Sequence, residues 1–388
     1  MGRTARELPA RAAVVVIGGG AMGVSAAYHL ARAGVRDVVL VERGALGEGS
    51  TCRAAGGVRA QFSDEVNILL GHRSLDVFER FGSVVGQEID LHQVGYLFCL
   101  DTPESVAAFE ANAALQRSLG VSTEMIDPVE AKALSPAIST DGLLAASWSP
   151  RSGHCSPESV VLGYATAARR LGARLVTQCE VTGIETVDGA VVAVTTEGGR
   201  IETDTVVCAA GAWSREVGRM AGVDLPVTPV RRQVLVSEAT PLVTPRTPFT
   251  IDFSTSYYFH HEGDGLLLGM SDPDEVPGFS LGRSDAWLPR LGEAMARRTP
   301  GFTDVGIASG WAGLYEMTPD HNALIGEAED VSRFVYATGF SGHGFLMAPA
   351  VGEVVRDLCL GEAPEIDVSG LDVTRFDGPG ARPELAIV

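Results

Sequence analysis

Apolar residues come in short runs, and the spacing inside and after each run predicts the element. VVVI at Val14–Ile17 is four β-branched residues in a row; GGGAMG follows, then VSAAYHLARAG, with apolar positions at helical spacing. A second apolar run, DVVLVE, ends at Glu42. Strand, glycine turn, helix and strand are therefore expected in that order. Val66, Leu69, Leu70, Val77, Phe78 and Phe81 predict a helix over about 64–81. GYLFCL (95–100) reads as a strand, PESVAAFEANAALQRSLG as a helix stopping at Gly120, and PESVVLGYATAARRLG (157–172) as an amphipathic helix. The period then falls to two. EVTGIETVDGAVVAVTTEGG predicts a hairpin turning at Asp188-Gly189, and TVVCAAGAW (205–213) a buried strand running into a glycine turn, with a helix from near Trp213. VRRQVLVSE, FTIDFS and YYFHHEGDGLLLG, between Pro226 and Gly269, alternate and carry aromatics, which predicts an antiparallel sheet suited to wall a cavity. A helix (285–298), the strand FVYATG (334–339), a glycine loop and a last helix (348–360) complete the pattern. After Gly361 the Pro, Gly and Asp content predicts a loosely packed tail.

The first turn carries chemistry. Gly18-x-Gly20-x-x-Gly23 stands between a strand and a helix, the context a dinucleotide fingerprint needs. Gly18 permits the tight turn, Gly20 lets a pyrophosphate reach the backbone, and Gly23 lets helix pack on strand. The helix opening near Ala21 and Met22 points N–H groups and a positive dipole end at phosphates. Glu42 stands where an acid hydrogen-bonds a ribose diol. The motif alone does not separate NAD from FAD.

Composition narrows the partners. The 388 residues are 45% apolar and 20% charged, and the formal charge of −19 argues against nucleic acid or an anionic membrane surface. An anionic small substrate is still allowed, because a site needs only one or two local cations. Cysteines 52, 99, 155, 179, 208 and 359 form no C-x-x-C pair and no metal-ligand spacing, so no metal is expected. Buried free thiols, no signal-peptide core and no run near 20 apolar residues predict a cytoplasmic protein without a membrane span.

VVVIGGGAMG, GEGSTCRAAGGVRAQF, VVCAAGAW, WAGLYEMTPD and ATGFSGHGFLMAPA, in this order, resemble the D-amino-acid oxidase superfamily of FAD enzymes. The likeness is to its sarcosine oxidase branch, including the β-subunits of sarcosine oxidase and dye-linked L-proline dehydrogenase, and it covers the chain to about residue 361. The resemblance implies an α/β fold: a Rossmann-like FAD-binding domain of the glutathione-reductase type with an inserted antiparallel-sheet substrate domain. The expected segments are 12–90, 150–222 and 306–361 for FAD, 91–149 and 223–305 for substrate, and 362–388 for the tail. FAD would meet Arg43 beside Glu42, then Ser50, Thr51, Arg53, Ala55, Gly56 and Gly57 of the second loop. Val181 would meet the adenine through its backbone, and Ala210, Gly211 and Trp213 would pass the nucleotide. Gly313, Leu314, Gly339, Ser341, Gly342, His343, Gly344, Phe345 and Leu346 would approach the flavin, with the last helix aiming its dipole at the ring.

The implied activity is oxidation of the C–N bond of a secondary or N-alkylated amino acid. Hydride passes to the flavin, and water hydrolyses the imine that remains. A primary amino-acid or tailoring amine oxidase and a noncatalytic flavin-binding subunit are the alternatives. Oxygen, a quinone or a partner subunit would accept the electrons. Arg59 is the candidate for the substrate carboxylate, with Arg53 as competitor, because a guanidinium fork matches a carboxylate. Tyr258 and His260 share one strand face and, with His343, are expected near the substrate. Gly313 stands where some relatives carry a flavin-linking cysteine, so FAD is expected to be noncovalent, with no such role for Cys52. Leu346 and Leu267 replace lysines of the family pattern. The first loss leaves Arg59 with less help, and the second tilts the acceptor away from oxygen unless His343 or His260 supplies a charge.

Overall fold

In the computed structural model, which describes residues 8–378 and 380–387, the run Val14–Ile17 lies inside a six-stranded sheet. The order across that sheet is Leu324–Glu327, Phe334–Thr338, Val206–Cys208, Val14–Ile17, Val38–Val41 and Arg174–Val176. All neighbours are parallel except the first two. Both faces are covered, which is why these strands are continuous apolar runs and not alternating ones. Val14 and Val16 pack beneath the helices Ala21–Arg32, Pro157–Arg170 and Gly344–Leu360. Val15 and Ile17 pack against the three-stranded sheet of Val181–Val187, Ala190–Thr196 and Gly199–Glu202. Its first hairpin turns at Asp188-Gly189, both with positive φ (50° and 74°), as the sequence predicts.

An eight-stranded sheet forms the second layer. It runs Ile307–Met317, Thr228–Ser237, Gly265–Met270, Tyr257–Glu262, Phe249–Asp252, Tyr96–Leu100, Ala145–Ser149 and Glu124–Ile126, antiparallel except where Phe249–Asp252 meets Tyr96–Leu100. Ile307–Met317 is hydrogen-bonded along Thr228–Ser237, so the chain returns to the first layer after Met317, not at the expected residue 306. A pair of two-residue strands, Gly57–Val58 and Gly153–His154, crosses the part of the second loop expected to be irregular.

Two further expectations fail. The last helix begins at Gly344, four residues before the predicted start, because Pro349 sits inside the helix where the sequence pattern suggests a boundary. The tail is not loose. Val368 and Leu371 join the main core, and Glu384 and Ala386 are each 1% exposed. Donors elsewhere in the molecule, from Arg59, Ser63, Asn67 and Tyr336, and apolar clusters hold it, which composition does not report. Among the described residues no helix is long and apolar enough to cross a membrane, and no cluster of His, Cys, Asp and Glu is arranged to hold a metal.

Helices Ala21–Arg32 and Gly344–Leu360 pack side by side, and Gly352 sets their distance. A Cβ there would lie 2.1 Å from Ser25 Oγ and 3.0 Å from the Ser25 backbone. Gly352→Val should therefore lower apoprotein stability by about 1–3 kcal/mol, read as a lower thermal or denaturant midpoint. Both helices begin at the cavity described next, so ligand retention there should fall with it.

Candidate functional site

The opening turn is built on close backbone approach. Gly18 has φ +111°, and a Cβ on it would lie 2.3 Å from the Ala209 carbonyl oxygen; one on Gly23 would lie 1.9 Å from the Gly18 carbonyl oxygen. A Cβ on Gly20 would meet only Thr51 Oγ1, at 3.1 Å, so the space beside Gly20 is open. Gly20 is the N-cap of helix Ala21–Arg32 and brings no capping side chain. The Ala21 N–H donates to Thr51 Oγ1 at 3.0 Å. Glu42, just past its strand, takes the N–H groups of Gly19 and Gly44, each at 2.7 Å, which fixes its carboxylate beside the turn.

The second loop is stitched to the eight-stranded sheet. Ser50 Oγ donates to the Leu314 carbonyl (2.6 Å), Arg53 Nη1 to the Ala312 carbonyl (3.0 Å), and Trp311 Nε1 to the Arg53 carbonyl (2.9 Å). Arg43 lies 3.8 Å over the Trp213 ring. These loops surround one cavity of about 590 Å³. Of the residues expected to hold cofactor or substrate, all line it except Gly23, Gly339 and His260.

Each exception has a physical reason. Gly23 serves the helix–turn approach just described. Gly339 has φ +70° and turns the chain, with its N–H on Glu316 Oε2 at 3.0 Å, so it shapes the loop without facing the cavity. The two ring nitrogens of His260 lie 2.8 Å from the His261 carbonyl and 3.1 Å from the Ala55 carbonyl, the single N–H of the neutral ring serving one of them, and the ring stacks on His154 at 4.2 Å. It braces the second loop from behind. Leu267 is buried but is not part of the cavity lining, so it marks no position for an oxygen-activating charge. Burial pushes the His260 imidazole to about 4 and the His343 imidazole to about 3, the latter with help from the Arg59 charge. Both are neutral at neutral pH, so neither supplies the missing cation. Cys52 does not line the cavity, and burial pushes its thiol up to about 11.

Arg59 lines the cavity, but its guanidinium is already engaged. It donates to the Gln61 carbonyl and, at 2.7 Å, to the Ala386 carbonyl, while lying 4.1 Å over the Phe62 ring. Sequence reasoning missed the second cation. Arg232 also lines the cavity, 5.2 Å over the Tyr315 ring, and its Nε is buried without a hydrogen-bond partner among the described residues. The signal was present: in VRRQVLV the strand period puts Arg232 on the face of Val234, a charge on an otherwise apolar face. Tyr258, Tyr315 and Tyr96 complete this end. Burial raises all three phenols, so they stay protonated as donors, and the Arg232 charge pulls partly against this at Tyr258 and Tyr315. Glu316 was missed as well. Burial raises its carboxyl despite hydrogen bonds from Thr338 (2.8 Å) and Gly339.

A family model described as "FAD dependent oxidoreductase" (DAO) matches residues 13–358. The chain belongs to the DAO family. This DAO-family chain is 33% identical over 386 residues to mitochondrial dimethylglycine dehydrogenase of Rattus norvegicus, covering 94% of this chain and 45% of that protein. It is 31% identical to mitochondrial sarcosine dehydrogenase of Homo sapiens, covering 96% and 42%. The chain thus spans less than half the length of these curated relatives. The crystal structure of L-proline dehydrogenase from P. horikoshii superimposes with a TM-score of 0.89 at 34% identity, covering 95% of this chain and 99% of that one. The DAO cofactor is FAD, and the residues present fit it. The backbone beside Gly20 is open, Glu42 is pre-fixed, and His343 Nε2 is buried without a partner among the described residues.

The two glycines of the turn separate fold from binding. Gly20→Val should leave a folded apoprotein with its thermal midpoint lowered only slightly but no yellow colour, because besides Thr51 Oγ1 the cofactor is what competes for that space. Gly18→Val should fail to fold, since its Cβ strikes backbone in a left-handed conformation. Flavin absorbance and a thermal melt on each variant check both outcomes.

Proposed function

We propose that this protein uses noncovalent FAD to oxidise the C–N bond of a secondary or N-alkylated amino acid. The observation that carries the reading is Arg232: a guanidinium lining the cavity, its Nε unpartnered, beside Tyr258 and Tyr315. A buried unpaired donor is costly, and a substrate carboxylate satisfies it with a charge-assisted bond. Tyr258 and Tyr315 add phenolic donors to the same carboxylate. Arg59 is spent on two carbonyls, whereas Arg232 gives Nη1 to the Arg231 carbonyl (3.0 Å) and keeps Nε unpartnered, so Arg59 acts as a charge nearby and Arg232 as the group that holds substrate. Both guanidiniums disfavour an ammonium, so the bound amine is kept as its reactive free base. Val234, Phe249 and Ile251 give the amine end an apolar wall and exclude water. When bound, FAD would supply the acceptor for hydride from a carbon attached to the amine nitrogen, leaving an imine that water hydrolyses. Three relatives support the substrate class by name: dimethylglycine, sarcosine and proline all carry a carboxylate and an alkylated amine. All six cysteines are free, five of them buried, which supports residence in a reducing compartment such as the cytoplasm. Oxygen, a quinone or a partner subunit receives the electrons.

Anaerobic addition of sarcosine, dimethylglycine or proline should bleach the flavin of the loaded protein with at least one of the three. Arg232→Lys should weaken that amino acid roughly ten- to a hundredfold, the loss of about 1.5–3 kcal/mol expected for a charge-assisted contact. Reduction by the matching amine without a carboxylate should not change. Equal loss for both would remove Arg232 as the carboxylate anchor. Acid precipitation should leave all the FAD in the supernatant, whereas flavin that stays with the polypeptide would mean a covalent link.

A further inference from the structure

We infer that the segment Glu384–Ile387 is the wall that sets substrate size, latched into the cavity by Glu384 and Arg59. Glu384 is 1% exposed although it carries a charge. Its carboxylate accepts from the backbone N–H of Ser63 (2.9 Å) and Asp64 (3.2 Å), from Ser63 Oγ (2.6 Å), from Asn67 Nδ2 (2.9 Å) and from the Ala386 N–H (2.8 Å). Asp64 is the N-cap of helix Glu65–Phe78, so the anion also sits at that helix's positive end. Burial alone would raise this carboxyl; the hydrogen bonds from Ser63, Asn67 and Ala386 outweigh it and hold it below its usual range.

Two residues on, the segment reaches the site. Leu385 points out, 60% exposed, while the Ala386 side chain is buried in the cluster containing Tyr96, Phe98 and Phe249. The Ala386 carbonyl takes the Arg59 N–H, and Ile387 lines the cavity together with Tyr96, Tyr258 and Arg59. The backbone bends at Ala386, so that Ala386 stays buried and Ile387 turns onto the substrate end. A guanidinium facing a cavity in a carboxylate-binding protein is here satisfied by main chain. The segment therefore occupies volume beside Arg59 that a larger ligand would need, while Arg232 is left to hold a small one. The latch is conditional: a buried carboxylate is tolerable only while its donors are in place, so losing any of them should release the wall as a unit.

This inference rests on the proposed carboxylate site, and nonreactive acids test it without turnover. FAD-loaded wild type, Glu384→Ala and Ile387→Gly are titrated with acetate, benzoate and 2-naphthoate, with the flavin absorption spectrum as readout. Hydrogen exchange of the 384–387 amides is followed in parallel. Both variants should bind 2-naphthoate at least tenfold more tightly than wild type, with acetate changed less than twofold. The 384–387 amides should lose protection in Glu384→Ala. Affinities that move together for all three acids, or not at all, would overturn the gate. Ile387→Gly leaves the latch intact, so it decides the matter should Glu384→Ala unfold. Failure of every amine to bleach the flavin, with size-dependent acid binding intact, would sink the oxidation reading and leave the gate standing.

Discussion

Everything at the site depends on three backbone segments touching where no side chain fits. Gly18 sits against the Ala209 carbonyl and Gly23 against the Gly18 carbonyl, so opening strand, turn, helix and the strand ending at Cys208 share one contact point. That contact aims the helix N-terminus beside Gly20, the position not filled by packing. The second approach, Gly352 on Ser25, locks the last helix to the first and brings a second N-terminus to the same cavity. The cofactor site is thus a consequence of helix–strand distances, and the glycines are its measure.

The two layers are then coupled through the second loop. Ser50 and Arg53 donate to carbonyls of Ile307–Met317, and Trp311 donates back to Arg53. His260 reaches the same loop from Tyr257–Glu262, another strand of that sheet, through Ala55. A protein with a net charge of −19 therefore places arginines 53, 59 and 232 around one cavity, each held by main chain or an aromatic ring. Local cations coexist with an acidic surface because these arginines are inside and most of the carboxylates are not.

Much of the first layer was legible because its information is local. The VVVI run, the glycine spacing and the Asp188-Gly189 turn each specify backbone within a few residues. The cavity side of the second sheet was legible only in part. Strand period put Tyr258 on the face that lines the cavity, yet it put His260 on the same face without revealing that Ala55 and His154 enclose it. Arg59 was chosen from a motif. Its partner Ala386 is 327 residues away, a contact no periodicity encodes. Arg232 is readable from the alternation of VRRQVLV, where it interrupts the apolar face of Val230, Val234 and Val236, but no glycine motif marks it. The tail misled for the same reason as Arg59: Pro and Gly content describes local stiffness, while Glu384 is held by Ser63, Asp64 and Asn67.

The central claim is that Arg232, and not Arg59, holds the substrate carboxylate beside bound FAD. The crystal structure of the FAD-loaded protein with acetate tests it most directly. The account predicts acetate oxygens within hydrogen-bond distance of Arg232 Nε and Tyr258 Oη, with Arg59 still on the Ala386 carbonyl. Acetate seated on the Arg59 guanidinium, with Ala386 displaced and Arg232 Nε unpartnered, would contradict it.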